Sequence, residues 1–164
     1  RRYVSGESHY YLGKQYLLKV NVSKTQPQGV ILFRGKIEVT LSNKDSSKVR
    51  SLMLAWYKAK SKEIFSKRLD AMVEQTLWIS ERPELRVRTM QTQWGSCSPN
   101  GRLTLNPHLV KTSRECIDYV LLHELCHIAE HNHSDKFYRL MNRVMPNWEK
   151  TKDKLDGMAT RILL

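Results

Sequence analysis

The stretch Asp118-Tyr119-Val120-Leu121-Leu122-His123-Glu124-Leu125-Cys126-His127-Ile128 decides how this chain folds. Together with Ile117, its Val120, Leu121, Leu122, Leu125 and Ile128 make a helix that is apolar nearly all round, the pattern of an element buried at the centre of a domain. The helix is predicted from about Ser113 to Glu130, with Thr112 and Glu115 at capping-box spacing. Inside it, His123-Glu124-Leu125-Cys126-His127 is an H-E-x-x-H segment. Two histidines four apart project from one helix face, one turn above the other. Both imidazoles can then reach one ion at the ~2.0–2.1 Å of a zinc–nitrogen bond. Glu124 lies beside that face, too offset to be a ligand but placed to take a proton from water at the metal. Polar groups of this kind are costly to bury on so apolar a helix unless they have partners.

A catalytic zinc needs a third protein ligand and an open fourth position. His133 follows His127 by six residues, the spacing of H-E-x-x-H-x-x-G-x-x-H, with Glu130 in place of the glycine. The chain is expected to turn back at Asn132, since Asn tolerates the left-handed conformation. His131 competes for the same role, but it would still be on the helix and rotated off the metal face, so His133 is preferred. One zinc per chain is expected.

Working outward, Asp135 to Met145 reads as a helix stopped by Pro146, and Asn147 to Leu164 as a last helix. Leu85 to Trp94 and Arg102 to Asn106 read as two strands of a hairpin closed by a type I turn at Ser98-Pro99-Asn100-Gly101. A long helix is predicted from about Lys48 to Leu77, on the apolar stripe Val49, Leu52, Trp56, Ala59, Phe65, Leu69, Met72 and Val73. Tyr10 to Val22, Val30 to Phe33 and Lys36 to Leu41 are predicted strands of a small antiparallel meander. The expected organisation is a single domain over 1–164, with N-terminal strands over 1–45, a basic helix over 46–80 and the metal-site core over 85–164.

Composition bounds the function. The chain has 164 residues, 40% apolar and 27% charged, which excludes a disordered or fibrous class. No apolar run approaches the ~20 residues that span a bilayer, so no membrane partner is expected. Arg1, Arg2 and Tyr3 lead into no apolar h-region, so no signal peptide is visible, and without a starting Met the native N-terminus is unseen. Cys97, Cys116 and Cys126 are odd in number and lack C-x-x-C spacing, which suits a reducing, cytoplasmic compartment. The net charge of +12 is uneven: residues 1–82 carry +9 and residues 83–164 carry +3. Residues 44–68 hold eight basic and two acidic side chains, read either as a solvated face or as a polyanion-binding face through Lys58, Lys60, Lys62, Lys67 and Arg68.

Gln93-Trp94-Gly95-Ser96-Cys97-Ser98, Gly101-Arg102-Leu103-Thr104-Leu105-Asn106, the segment Asp118–His127, Asn132-His133-Ser134-Asp135-Lys136-Phe137-Tyr138 and Met145-Pro146-Asn147-Trp148 together resemble the YgjP-like family of metal-dependent hydrolases. That family is similar to the SprT-like zincin peptidases. The resemblance covers nearly the whole chain and is tightest from Gln93 to Trp148. It implies an α+β, zincin-like fold, a small antiparallel or mixed sheet packed on the H-E-x-x-H helix with additional helices. It also implies metal ligation by His123, His127 and His133, with Glu124 as general base. Peptidase activity on a peptide or protein is the leading expectation. Hydrolysis of nucleotide phosphoanhydrides, also attributed to the family, and a DNA-associated protease or binding module are the alternatives, with the basic N-terminal half as the nucleotide or nucleic-acid contact.

Zincin peptidases hold substrate as an added strand along a sheet edge above the metal helix. Arg102, Leu103, Thr104 and Asn106 are therefore candidate substrate contacts if that strand is the edge, and structural if it is internal. Tyr119, one turn before His123, is either an oxyanion stabiliser or a packing residue. Trp94 and Asn106 are expected at the site floor, Asn106 being otherwise a turn residue. Cys126 is expected as a small buried hydrophobe, and Met145 and Met158 as core residues with a possible place beneath the metal.

Overall fold

The computed structural model describes residues 1–163; Leu164, with which the last helix was expected to end, lies outside the described residues. Four strands open the chain: β1 (Ser8–Tyr11), β2 (Lys14–Val22), β3 (Gly29–Phe33) and β4 (Lys36–Leu41). They form one sheet in the order β1-β2-β4-β3. The expected antiparallel meander is corrected here, because β4 inserts between β2 and β3 and runs parallel to β2. The cause is apolar content. β4 carries Ile37, Val39 and Leu41, all at most 1% exposed, and takes an interior place in the sheet. Alternation identifies such a strand but says nothing of its neighbours. The outer face leaves Leu17, Ile31 and Phe33 exposed.

Helix α1 (Ser46–Glu74) is capped by Asp45, whose side chain accepts from the Ser47 amide. Its buried residues are Val49, Met53, Tyr57, Ser61, Phe65, Leu69 and Met72. The expected stripe holds at both ends and fails between them, where Ala59 is exposed and Met53, Tyr57 and Ser61 are buried instead. Steps of four on a 3.6-residue turn rotate the stripe by ~40° each. The buried line thus winds around a helix that packs on β3 and β4 and also on α2 and the turn before it. Arg68 is tied to Asp118 by two 2.8 Å hydrogen bonds, so it is a packing contact and not part of a free basic face.

Strands β5 (Leu85–Val87), β6 (Gly95–Cys97) and β7 (Leu103–Leu105) form a second sheet in the order β5-β7-β6. The predicted hairpin over 85–106 survives only as β6 and β7, which are antiparallel, while β5 is parallel to β7. The turn at Ser98–Gly101 closes as expected, with the Gly101 amide donating to the Ser98 carbonyl at 2.9 Å. The segment 88–94 leaves the sheet because Asn106 holds it: its side-chain amide donates to the Met90 and Gln93 carbonyls, at 2.7 and 3.0 Å.

A 3-10 turn (Pro107–Lys111) leads to α2 (Arg114–Ala129), α3 (Asp135–Val144) and α4 (Trp148–Ile162). The tip of the β1–β2 hairpin bonds to this turn, Leu12 and Gly13 donating to the Val110 and Lys111 carbonyls, which ties the first sheet to the core. The cap of α2 is Ser113, accepting from the Cys116 amide at 3.2 Å. This replaces the expected Thr112–Glu115 box. The Thr112 hydroxyl donates to the Leu109 carbonyl, and Glu115 accepts from Thr151 of α4. α2 is central, packed against α1, α3, α4 and β6.

Candidate metal centre

His123 and His127 stand on one face of the most deeply packed helix. Beyond them α2 ends at Glu130, whose backbone is extended (φ −135°, ψ 101°). The chain bends at His131 and Asn132, where the turn is expected, but no left-handed residue is used between Glu130 and His133. An extended break has no need of glycine, which is why Glu130 is tolerated where the longer motif has Gly. Ser134 then caps α3, accepting from the Phe137 amide, and this fixes His133 just ahead of the helix.

The result is a convergence of three imidazoles. His133 Nε2 lies 3.0 Å from His127 Nε2 and 3.2 Å from His123 Nε2. Tetrahedral bonds of ~2.05 Å would put ligand nitrogens about 3.3 Å apart, so the cluster has the size of a zinc site. The tautomer fits as well. His127 Nδ1–H donates to the Glu130 carbonyl at 3.1 Å, which leaves the Nε2 lone pair directed at the cluster. Burial and the two neighbouring imidazoles push His123 down to about 3, so it is neutral. Burial likewise lowers His127, against the pull of the Glu130 carbonyl. Three imidazole nitrogen donors suit a borderline-soft divalent ion. His131 is exposed and outside the cluster.

Phe137, fully buried, packs against all three rings, with centroids 4.6 to 5.0 Å away. It is the floor that sequence reasoning missed. Its signal was the position four after His133, where a helix starting at Ser134 turns an apolar side chain back under the histidines.

Glu124 is 6% exposed, and burial raises its carboxyl to about 8. It lines a cavity of about 180 Å³ with His123, Tyr119, Trp94, Gly95 and Lys152. A second cavity, of about 370 Å³, opens on His123 and His133 and is walled by Tyr119, Tyr138 and Trp148. Tyr119 and Tyr138 both stack on Trp148, at 6.5 and 5.5 Å. Lys152, the one Lys or Arg lining either cavity, is paired with Asp156 at 2.8 Å. Cys97 lies near Glu124, and burial together with that carboxylate raises its thiol to about 11.

The remaining expectations divide. Tyr119 lines both cavities and Trp94 the smaller one. The strand Arg102–Asn106 is not an edge. β7 is the middle strand, and Leu103, Thr104 and Asn106 are at most 5% exposed. Arg102 pairs with Glu84 at 3.2 Å and lines a different cavity. The strand is thus the internal one of the two alternatives, and none of the four lines the cavities beside the histidines. Asn106 is structural, bonding segment 88–94 and capping the 3-10 turn through the His108 amide. The edge beside the metal helix is β6, held close by Gly95, where a Cβ would stand 2.9 Å from Val120 Cγ1. Cys126 is fully buried, as expected. Met145 and Met158 line neither cavity, whereas Met141 does.

No curated protein matches this chain. Crystal structures of two metallopeptidase zymogens are similar to it. That of Pyrococcus abyssi abylysin has a TM-score of 0.50 and 21% identity, covering 63% of this chain and 99% of that one. That of Methanocaldococcus jannaschii jannalysin has a TM-score of 0.46 and 24% identity, covering 59% and 94%. The likeness to abylysin is one of fold, and it agrees with the α+β, zincin-like architecture that the family resemblance implies. A family model described as a YgjP-like metallopeptidase domain matches residues 1–158, and on that match this chain belongs to the YgjP-like metallopeptidase family.

Proposed function

We propose that the chain is a zinc peptidase in which His123, His127 and His133 hold one metal ion and Glu124 is the general base. The observation that carries this reading is the convergence of three imidazole nitrogens beside a buried carboxylate that no hydrogen bond commits elsewhere among the described residues. A bound zinc supplies Lewis-acid polarisation of water and of the scissile carbonyl. Glu124 takes a proton from water at its carboxylate oxygen and returns it to the leaving amine. Its apolar surroundings favour the protonated form, which makes the carboxylate a stronger base for the first transfer. Tyr119 lines the same cavity, and its hydroxyl is a candidate donor to charge developing on the substrate oxygen.

An extended peptide fits the free edge of β6, where main-chain bonds can lay it across the histidines. A triphosphate fits less well, because the only Lys or Arg lining the cavities there is already paired. The test is a screen of peptides against nucleotides with zinc-loaded wild type and Glu124→Gln. Peptide cleavage that requires Glu124 is expected. Phosphate release that requires Glu124, with no peptide cleaved, would overturn the peptidase reading in favour of a phosphoanhydride hydrolase.

A further inference from the structure

Away from the histidines, β1, α1, the 3-10 turn and the end of α4 enclose a cavity of about 300 Å³. Its lining includes Arg1, Arg50, Lys111 and Arg161, together with His9 and His108, and no acidic residue among those described. None of the four Lys and Arg side chains is within ion-pair distance of a carboxylate among the described residues. The nearby Glu7 is committed to His9 at 2.7 Å and to the backbone amides of Arg2 and Tyr3, and it does not line the cavity. Lys111 is the group hardest to explain otherwise. It is half-buried with its ammonium 4.7 Å from the centre of the Tyr57 ring, and its backbone is pinned by the β1–β2 hairpin. A buried charge normally has an opposite charge beside it.

We propose that this cavity is a binding site for a small molecule bearing a phosphate group. Four cations from four parts of the chain converge there, which is more charge than one carboxylate balances. Arginine forks match the paired oxygens of a tetrahedral phosphate. The volume is at the lower end of small-ligand sites, and the rings of Tyr3, Tyr10 and Tyr57 offer apolar walls for an organic portion. Burial and Lys111 together hold His108 down at about 4, so it enters as a neutral hydrogen-bonding group. The site is independent of the metal reading, since it shares no lining residue with the histidine cavities.

The test is calorimetric titration of the zinc-loaded protein in 150 mM chloride with inorganic phosphate, ribose 5-phosphate and acetate, repeated after EDTA. Saturable binding of one phosphate group per chain, unchanged by EDTA, is expected. Arg50→Ala and Arg161→Ala, both at exposed positions, should each weaken it by about tenfold or more without altering the fold by circular dichroism. Tighter binding of ribose 5-phosphate than of phosphate would assign an organic ligand, and equal binding the free anion. Binding lost with EDTA, acetate binding as tightly as phosphate, no saturation, or unchanged affinity in both arginine variants would each overturn the proposal.

Discussion

Two regions of this molecule crowd like groups together and resolve the conflict in opposite ways. At the end of α2, three imidazoles meet within hydrogen-bond distance, and burial strips protons from His123 and His127. What remains is a set of lone pairs that attracts a cation. Beside the 3-10 turn, Arg1, Arg50, Lys111 and Arg161 also converge, but arginine does not give up its proton. What remains there is positive charge that attracts an anion. The chemistry of a cluster thus follows from whether its members can become neutral.

The metal side offers the strongest way to break that contrast. His127→Ala removes both a lone pair and the Glu130 contact, and should abolish stoichiometric zinc and all peptidase activity, as read by elemental analysis and peptide cleavage. Full zinc retention in this variant would show that the imidazoles do not act as a set. Next in size, Glu124→Gln keeps the shape of the site and removes the base. A fall of about 10²–10⁴-fold in kcat is expected, with zinc content unchanged. A loss of zinc along with the activity would make Glu124 a ligand instead.

A smaller effect concerns how the metal helix is framed. Gly95→Ala puts a methyl 2.9 Å from Val120 Cγ1 and 3.0 Å from Leu105 Cδ2. Overpacking of this kind costs about 1–3 kcal/mol. Lower thermal stability is expected, together with a raised KM if β6 carries the peptide. A stability equal to wild type would mean that β6 moves freely against α2.

The same contrast explains what was legible in the sequence. The histidines lie on one helix face and a short link, so spacing alone assembles them, and helical periodicity announced α2. Sheet order was not legible, because alternation in β4 or β7 is the same whichever strands lie beside it. The role of Asn106 was hidden for a related reason: its partners, Met90 and Gln93, lie in a segment that reads as a strand. The basic cavity was least legible of all. Its cations lie at positions 1, 50, 111 and 161, and of the basic run over 44–68 only Arg50 reaches it. The charge excess in the first half of the chain does not single these positions out.

Lys111 sharpens the comparison most finely, because it is the one lysine in the basic cavity and so can still release its proton. Burial first, then Arg1, holds it down to about 8 from an ordinary 10.5. Arg50, Arg161, His9, His108, Tyr3, Tyr10 and Tyr57 also line the cavity, and no carboxylate side chain among the described residues does. The unfolded chain therefore binds more protons at this site than the folded one between about pH 8 and 10.5, and folding stability rises with pH across that window. Lys111→Met has no such dependence. The stability of wild type relative to the variant should rise by on the order of 1 kcal/mol from pH 7 to pH 9, measured by urea denaturation. Phosphate added at pH 7 should stabilise wild type more than the variant, because an anion at the site favours the charged lysine. A gap that stays constant with pH would mean that Lys111 keeps its proton in the folded state as it does in the unfolded one, and the basic cluster would then hold its full charge, as far from the histidine cluster as it can be.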